Sequence, residues 1–219
     1  LTPPAPRIES LSIQGPAGVL EGILKLPSSE ILGAALLCHP HPLYQGSMHS
    51  PVIFRAARAF HSRSYATLRF NFRGVGRSAG RHDGGRGERD DVLAALQALV
   101  EKVPQAPVTL LGYSFGSRVG FEAGARDGRV ASLIGIGVPL ALGPMDFLRG
   151  IEKPLLVIQG DQDEFGALPV VERLIQQAGP LARLMVIPGA DHYFNGKLDQ
   201  LEESLATALC ERPLSGTPA

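Results

Sequence analysis

TLLGYSFGSRVGF, residues 109–121, reads as a short apolar strand (Val108 to Leu111) that turns through a glycine-flanked serine into the opening of a helix. Within it, Gly112-Tyr113-Ser114-Phe115-Gly116 has the form G-x-S-x-G, in which a serine sits on a sharp strand-to-helix corner. A serine held there at a strained backbone angle leaves no room for side chains two residues to either side, and the glycines meet that demand. The pentapeptide also occurs by chance, in which case it is an ordinary loop with a serine N-cap. A base, an acid and an oxyanion site at the right places in the chain distinguish the two readings.

Working outward, strands Val130 to Gly137, Leu155 to Gln159 and Arg183 to Ile187 alternate with helices Pro169 to Gln177 and Gly196 to Cys210. On the other side, Ile8 to Ile13 and Val19 to Leu26 flank the turn Gln14 to Gly18 as a hairpin would. Ala34 to Cys38 is a continuous apolar run suited to a strand covered on both faces, and Ala66 to Phe72 is a further strand. Helices are expected over Pro51 to Ser62 and over Glu88 to Val103, the latter with Val92, Leu93, Leu96, Leu99 and Val100 on one face and stopped by Pro104 and Pro107. The alternation predicts an α/β fold: a doubly wound, mostly parallel sheet of about eight strands, entered through an antiparallel hairpin. A single domain is expected over residues 1–219, with residues 1–6 and 212–219 as mobile tails.

Composition narrows the function. Formal net charge is +0 at pH 7, so no global field draws the chain to nucleic acid or an anionic membrane, and small-molecule chemistry is expected. No apolar run reaches the roughly 18 residues of a membrane span. Cys38 and Cys210 form no disulfide framework and are expected to be buried or inert. A cytoplasmic location is expected, with the start at Leu1 leaving a removed leader open; oligomeric state is not legible.

A serine hydroxyl needs a base to take its proton. His192, in the loop Pro188-Gly189-Ala190-Asp191-His192-Tyr193-Phe194 after the last strand, is placed to swing over the sheet edge where ligands of such sheets bind. The histidine needs a carboxylate on its other nitrogen. Gly160-Asp161-Gln162-Asp163-Glu164 offers three; Asp163 is preferred, since the first residue after a strand is often consumed in shaping the turn, and Asp161 is the fallback. The oxyanion of a tetrahedral intermediate needs two N–H donors. The Phe115 amide, at a helix N-terminus, is one; the second is expected from the loop after Cys38, where Pro40 and Pro42 have no N–H, so His41 comes first and Leu43 next.

Two other readings are weaker. His39, His41 and His49 have zinc-like spacing, but the prolines splay the loop and no nearby cysteine or carboxylate completes a set, so no metal is expected. Gly80 to Gly87 has P-loop glycine spacing without the lysine and the following Ser/Thr, and the arginines from Arg73 to Arg89 are interleaved with Asp83, Glu88, Asp90 and Asp91 as in a solvated loop.

Together, His39-Pro40-His41-Pro42, Asn71 to Ser78 (NFRGVGRS), Gly160 to Glu164, the elbow and Asp191-His192 make a chain that resembles the α/β-hydrolase superfamily along nearly its whole length, in particular its small, lidless bacterial members. The resemblance implies Ser114 as nucleophile, Asp163 as acid and His192 as base, with no cofactor. Gln45-Gly46 departs from the two glycines expected there, which bears on the oxyanion loop or the acyl pocket. Residues 138–150, VPLALGPMDFLRG, stand where lipases insert a cap and allow at most a short flap. Tyr44, Gln45, Tyr113, Leu140 and Met145 are the candidate substrate-pocket residues. The expected activity is hydrolysis of carboxylic esters of small or short-chain acyl substrates through an acyl-enzyme, rising with pH as the histidine loses its proton. Peptide or amide hydrolysis on the same residues, or a binding protein that kept the fold and lost catalysis, are the alternatives.

Overall fold

The computed structural model describes residues 5–211. Apolar runs without a polar face become the middle of the sheet: β3 (Gly33–Cys38), β5 (Val108–Tyr113) and β7 (Leu155–Gly160) are buried at every position. β4 (Tyr65–Phe70), β6 (Val130–Ile136) and β8 (Ala182–Ile187) pair with them in parallel. The more polar β1 (Arg7–Gly15) and β2 (Gly18–Leu26) form an antiparallel hairpin, and β2 joins β4 antiparallel. The resulting eight-stranded order is β1-β2-β4-β3-β5-β6-β7-β8.

Strand alternation sends side chains to two separate layers. Ala34, Leu36 and Cys38 of β3 belong to the layer covered by α2 (Arg86–Lys102), α3 (Phe115–Gly124) and, further along the sheet, α4 (Leu168–Ala178). Ala35 and Leu37 face α1 (Pro51–His61) and α5 (Leu198–Glu211) instead. The amphipathic α1 buries Val52, Ile53, Ala56 and Phe60 there, and the proline at its first position starts the helix without wasting an N–H. Helices on both faces leave the carboxyl edge of the sheet as the open end of the molecule, where the loops meet.

Several boundaries differ from the sequence expectation, each for a hydrogen-bonding or backbone reason. β4 stops at Phe70 rather than Phe72: Asn71 N–H still reaches Glu21 O of β2 (2.8 Å), but Phe72 N–H goes to the side chain of His39, at Nε2 (3.0 Å), instead of a neighbouring strand. α2 begins at Arg86, two residues early: the buried Glu88 carboxylate accepts from Asp83 N and Gly85 N (2.8 Å each) and organises the turn before it. α5 starts at Leu198, since Gly196 has φ +67°. Cys38 is wholly buried, which pushes its thiol up, whereas Cys210 is exposed.

The arginine- and glycine-rich loop is a docking device. Arg73 donates from N (3.0 Å), Nε (3.0 Å) and Nη2 (2.7 Å) to the buried Asp91 carboxylate on α2. A Cβ at Gly87 would lie 1.8 Å from Arg73 Nη1, so only glycine lets the guanidinium cross the first turn of that helix. Residues 138–150 contain just two short 3-10 turns, Leu140–Leu142 and Asp146–Leu148, so no cap domain stands over the edge among the described residues. The ends 1–4 and 212–219, expected to be mobile tails, lie outside the described residues; Ala5 and Pro6 are exposed coil before β1.

Candidate active site

Ser114 lies at the corner between β5 and α3 with φ +53° and ψ −122°, a conformation that costs a non-glycine residue about 1–3 kcal/mol. The surrounding glycines make it possible. A Cβ on Gly112 would come 2.3 Å from Gly116 O, and one on Gly116 would come 2.2 Å from Cys38 O and 2.4 Å from His39 O. The corner is thus wedged against the end of β3, and the Ser114 hydroxyl faces the open edge.

His192 arrives on the loop between β8 and α5. Asp191 shapes that loop, its carboxylate accepting from Tyr193 N (3.1 Å), Asn195 N (3.0 Å) and Asn195 Nδ2 (2.8 Å). Phe194 anchors it: the ring is wholly buried although its backbone has φ +55°, an unfavourable value for an aromatic residue. Tyr113 adds a tie from the end of β5, its hydroxyl donating to His192 O (3.0 Å). So held, His192 Nε2 lies 2.9 Å from Ser114 Oγ.

The other ring nitrogen, His192 Nδ1, lies 2.8 Å from Asp163 Oδ2. Asp163 is buried, yet neither of its oxygens is neglected: Oδ2 also accepts from Gln159 Nε2 (2.8 Å), and Oδ1 accepts from Phe165 N (2.8 Å) and Gly166 N (3.1 Å). Four donors thus satisfy both oxygens of the buried carboxylate. The fallback Asp161 is used differently, accepting from Gly189 N at 2.7 Å and pinning the acid loop to the histidine loop.

Phe115 is the first residue of α3, so its amide points out of a helix N-terminus toward the serine. Among the described residues no acceptor takes the N–H of Phe115 or of His41, and both residues line the cavity at Ser114. Leu43 does not fit the role of second donor: its N–H is spent on His41 Nδ1 (3.2 Å), and it is 69% exposed outside the cavity. The rings of His41, His82 and Phe115 pack together, with centroids 4.8 Å apart for His41–His82 and His41–Phe115 and 5.6 Å for His82–Phe115. Burial, then the neighbouring His82, holds the His41 imidazole below its ordinary pKa. His82 Nδ1 sits 2.9 Å from the buried Glu88 carboxylate but off line for a hydrogen bond.

His39 cannot serve a metal as it stands: Nδ1–H donates to Pro40 O (2.7 Å) and Nε2 accepts from Phe72 N. It is instead a fully buried strut between the ends of β3 and β4, and burial lowers its pKa to about 4.

A cavity of ≈ 750 Å³ opens over Ser114. Of the expected pocket residues, Tyr44, Gln45 and Tyr113 line it. Leu140 and Met145 do not: Met145 is fully buried in the core beneath α4, with Leu140 packed against that layer, and Leu142 from the same segment lines the cavity in their place. Phe165, Asn195 and Leu198 are further lining residues that the sequence does not single out. Gln159 also escapes a reading of the sequence; its one signal is a carboxamide in the otherwise apolar strand LLVIQG.

The arrangement suits proton removal from an alcohol with charge held on an adjacent oxygen, and the chain is similar to known proteins of one fold family. A family model described as an alpha/beta hydrolase domain matches residues 45–210. An uncharacterized protein of Rickettsia prowazekii is 34% identical over 200 residues, spanning 87% of this chain and 84% of its own length. An alpha-beta serine hydrolase homologue from Coxiella burnetii superimposes with a TM-score of 0.87 at 36% identity, covering 92% of this chain and 97% of that one. A serine hydrolase without lid from Xanthomonas campestris gives a TM-score of 0.86 at 33% identity, covering 97% of each chain.

Proposed function

The chain belongs to the alpha/beta hydrolase family, and from that premise we propose that it is a serine hydrolase cleaving carboxylic esters through an acyl-enzyme. One observation carries the reading: an unbroken line of hydrogen bonds from Ser114 Oγ through His192 to Asp163, at 2.9 and 2.8 Å.

In this mechanism Ser114 Oγ attacks the scissile carbonyl carbon while His192 Nε2 takes its proton. Asp163 fixes the tautomer with the proton on Nδ1 and stabilises the imidazolium. The negative oxygen of the tetrahedral intermediate is held by the N–H groups of Phe115 and His41, a contribution of about 3 kcal/mol per donor. Collapse expels the alcohol, which takes the proton back from His192. Water then attacks the acyl-enzyme with the same base, and the acid leaves.

An ester is favoured over a peptide with a free amino terminus by the cavity walls. Among the described residues no Asp or Glu side chain lines the space over Ser114, so no carboxylate there would pair with an ammonium group. The volume also admits acyl groups well beyond acetyl. Ser114→Ala should lower turnover of p-nitrophenyl acetate by about 10⁴-fold or more. Turnover near the wild-type level would end the serine mechanism, and a folded protein that no fluorophosphonate labels would instead support a silent binding protein.

A further inference from the structure

Gln45 occupies a backbone position that costs it energy. It ends the 3-10 turn Pro42–Tyr44 with φ +62° and ψ +16°, the left-handed region that glycine enters freely and other residues avoid. The loop cannot relax around it. The N–H groups of Tyr44 and Gly46 both donate to His41 O (3.1 Å each), and a Cβ on Gly46 would lie 2.2 Å from Pro40 O, so the chain on either side is fixed. A strained residue in a rigid loop at a cavity wall calls for a reason beyond the turn.

The polar groups around the cavity supply one. No Lys, Arg, Asp or Glu side chain lines it among the described residues, and the lowered pKa of His41 keeps that ring neutral at pH 7. Most of the neutral polar groups are at least partly engaged: the Tyr113 hydroxyl donates to His192 O, Asn195 Nδ2 donates to the Asp191 carboxylate, and the Ser50 hydroxyl accepts from Ser47 N. The hydroxyls of Tyr44 and Tyr193 belong to rim residues 81% and 57% exposed; Gln45 is exposed at the same rim, but of the three it alone is held on a fixed left-handed backbone. The Gln45 carboxamide, which can both donate and accept, has no hydrogen-bond partner among the described residues.

We propose that Gln45 is a specificity-determining residue whose carboxamide hydrogen-bonds an uncharged polar group of the substrate, so that the preferred substrates are neutral esters carrying a hydroxyl or second carbonyl beside the scissile ester. This rests on the ester-hydrolase reading above. A charged group in the same position is disfavoured, because the cavity offers it no counter-charge.

The test compares kcat/KM for size-matched pairs: methyl lactate with methyl propionate, methyl 3-hydroxybutyrate with methyl butyrate, and 2-hydroxyethyl butyrate with propyl butyrate. The wild type should prefer the hydroxylated member of at least one pair by about 3- to 10-fold, the range of one neutral hydrogen bond. Gln45→Ala and Gln45→Gly should both bring that ratio close to one. Gln45→Gly should do so with a Tm at or above that of the wild type, since glycine relieves the left-handed backbone, while Gln45→Ala, which keeps the Cβ, should melt below Gln45→Gly. Loss of selectivity without loss of stability is not what a turn residue would give. No preference in any pair, or a preference that survives both substitutions, overturns the proposal. If the wild type turned over none of the esters and took up no fluorophosphonate, the hydrolase reading itself would fail, an outcome told apart by the absent label.

Discussion

Asp163→Asn replaces a carboxylate by a carboxamide of nearly the same shape, in a place where only acceptors are wanted. All four neighbours are donors: His192 Nδ1 and Gln159 Nε2 on one oxygen, Phe165 N and Gly166 N on the other. Gln159 cannot turn over to accept, because its Oε1 already takes Val138 N–H (2.8 Å) and its Nε2 also donates to Gly166 O (3.0 Å). The new NH₂ therefore opposes donors in either orientation. Facing the backbone amides it meets two N–H groups that cannot move; facing His192 it is relieved only if the imidazole shifts its proton to Nε2. That tautomer points an N–H at Ser114, where an acceptor is required. The expected fall in kcat is about 10⁴-fold, or about 5 kcal/mol of barrier, with KM changed by no more than a few-fold. Stability should fall by about 1–3 kcal/mol, since a buried donor is left unpaired. Steady-state kinetics with p-nitrophenyl acetate, alongside urea unfolding, measure both. A folded variant retaining more than about a tenth of wild-type kcat would refute the role given to Asp163.

The buried His39 predicts acid sensitivity. Its pKa is lowered to about 4 in the native state against an ordinary 6.5, so as pH falls below 6.5 the unfolded chain takes up a proton that the native state refuses. Stability is then lost at about 1.4 kcal/mol per pH unit until about pH 4, a total of about 3 kcal/mol. Between pH 7 and pH 5 the wild type should lose about 2 kcal/mol more stability than His39→Gln, measured by urea unfolding; equal losses would contradict this role for the residue. Gly116→Ala places a methyl group against two backbone carbonyls at the end of β3, and should lower Tm by about 6–12 °C or prevent folding; a drop under about 2 °C would show that the elbow is not wedged there.

How much of this can be read from the chain depends on how local each feature is. The sheet is legible because its central strands are almost wholly apolar and its hairpin alternates, so periodicity alone separates them. Ser114, Asp163 and His192 can be assigned to one edge because each follows a strand, and in the structure they lie within hydrogen-bonding distance. What periodicity cannot carry is which polar group a buried neighbour will consume. Gln159 looks like an ordinary strand residue until its carboxamide is found on Asp163, and Leu43 looks like a free donor until His41 Nδ1 takes its amide. Leu140 and Met145 are misplaced by the sequence for a related reason: an apolar residue in a short loop serves equally as pocket wall or core plug, and only the packing under α4 decides. The positive φ of Gln45 and Phe194 leaves no trace in residue type at all.

The central claim is that Ser114 is a nucleophile activated by His192. Reaction with a fluorophosphonate, located by peptide mass spectrometry, tests it most directly. One adduct is expected, on the peptide carrying Ser114, formed in step with the loss of p-nitrophenyl acetate turnover and absent when His192 is replaced by alanine. A folded protein that keeps its turnover while this serine stays unlabelled, or whose adduct maps to another residue, would contradict it.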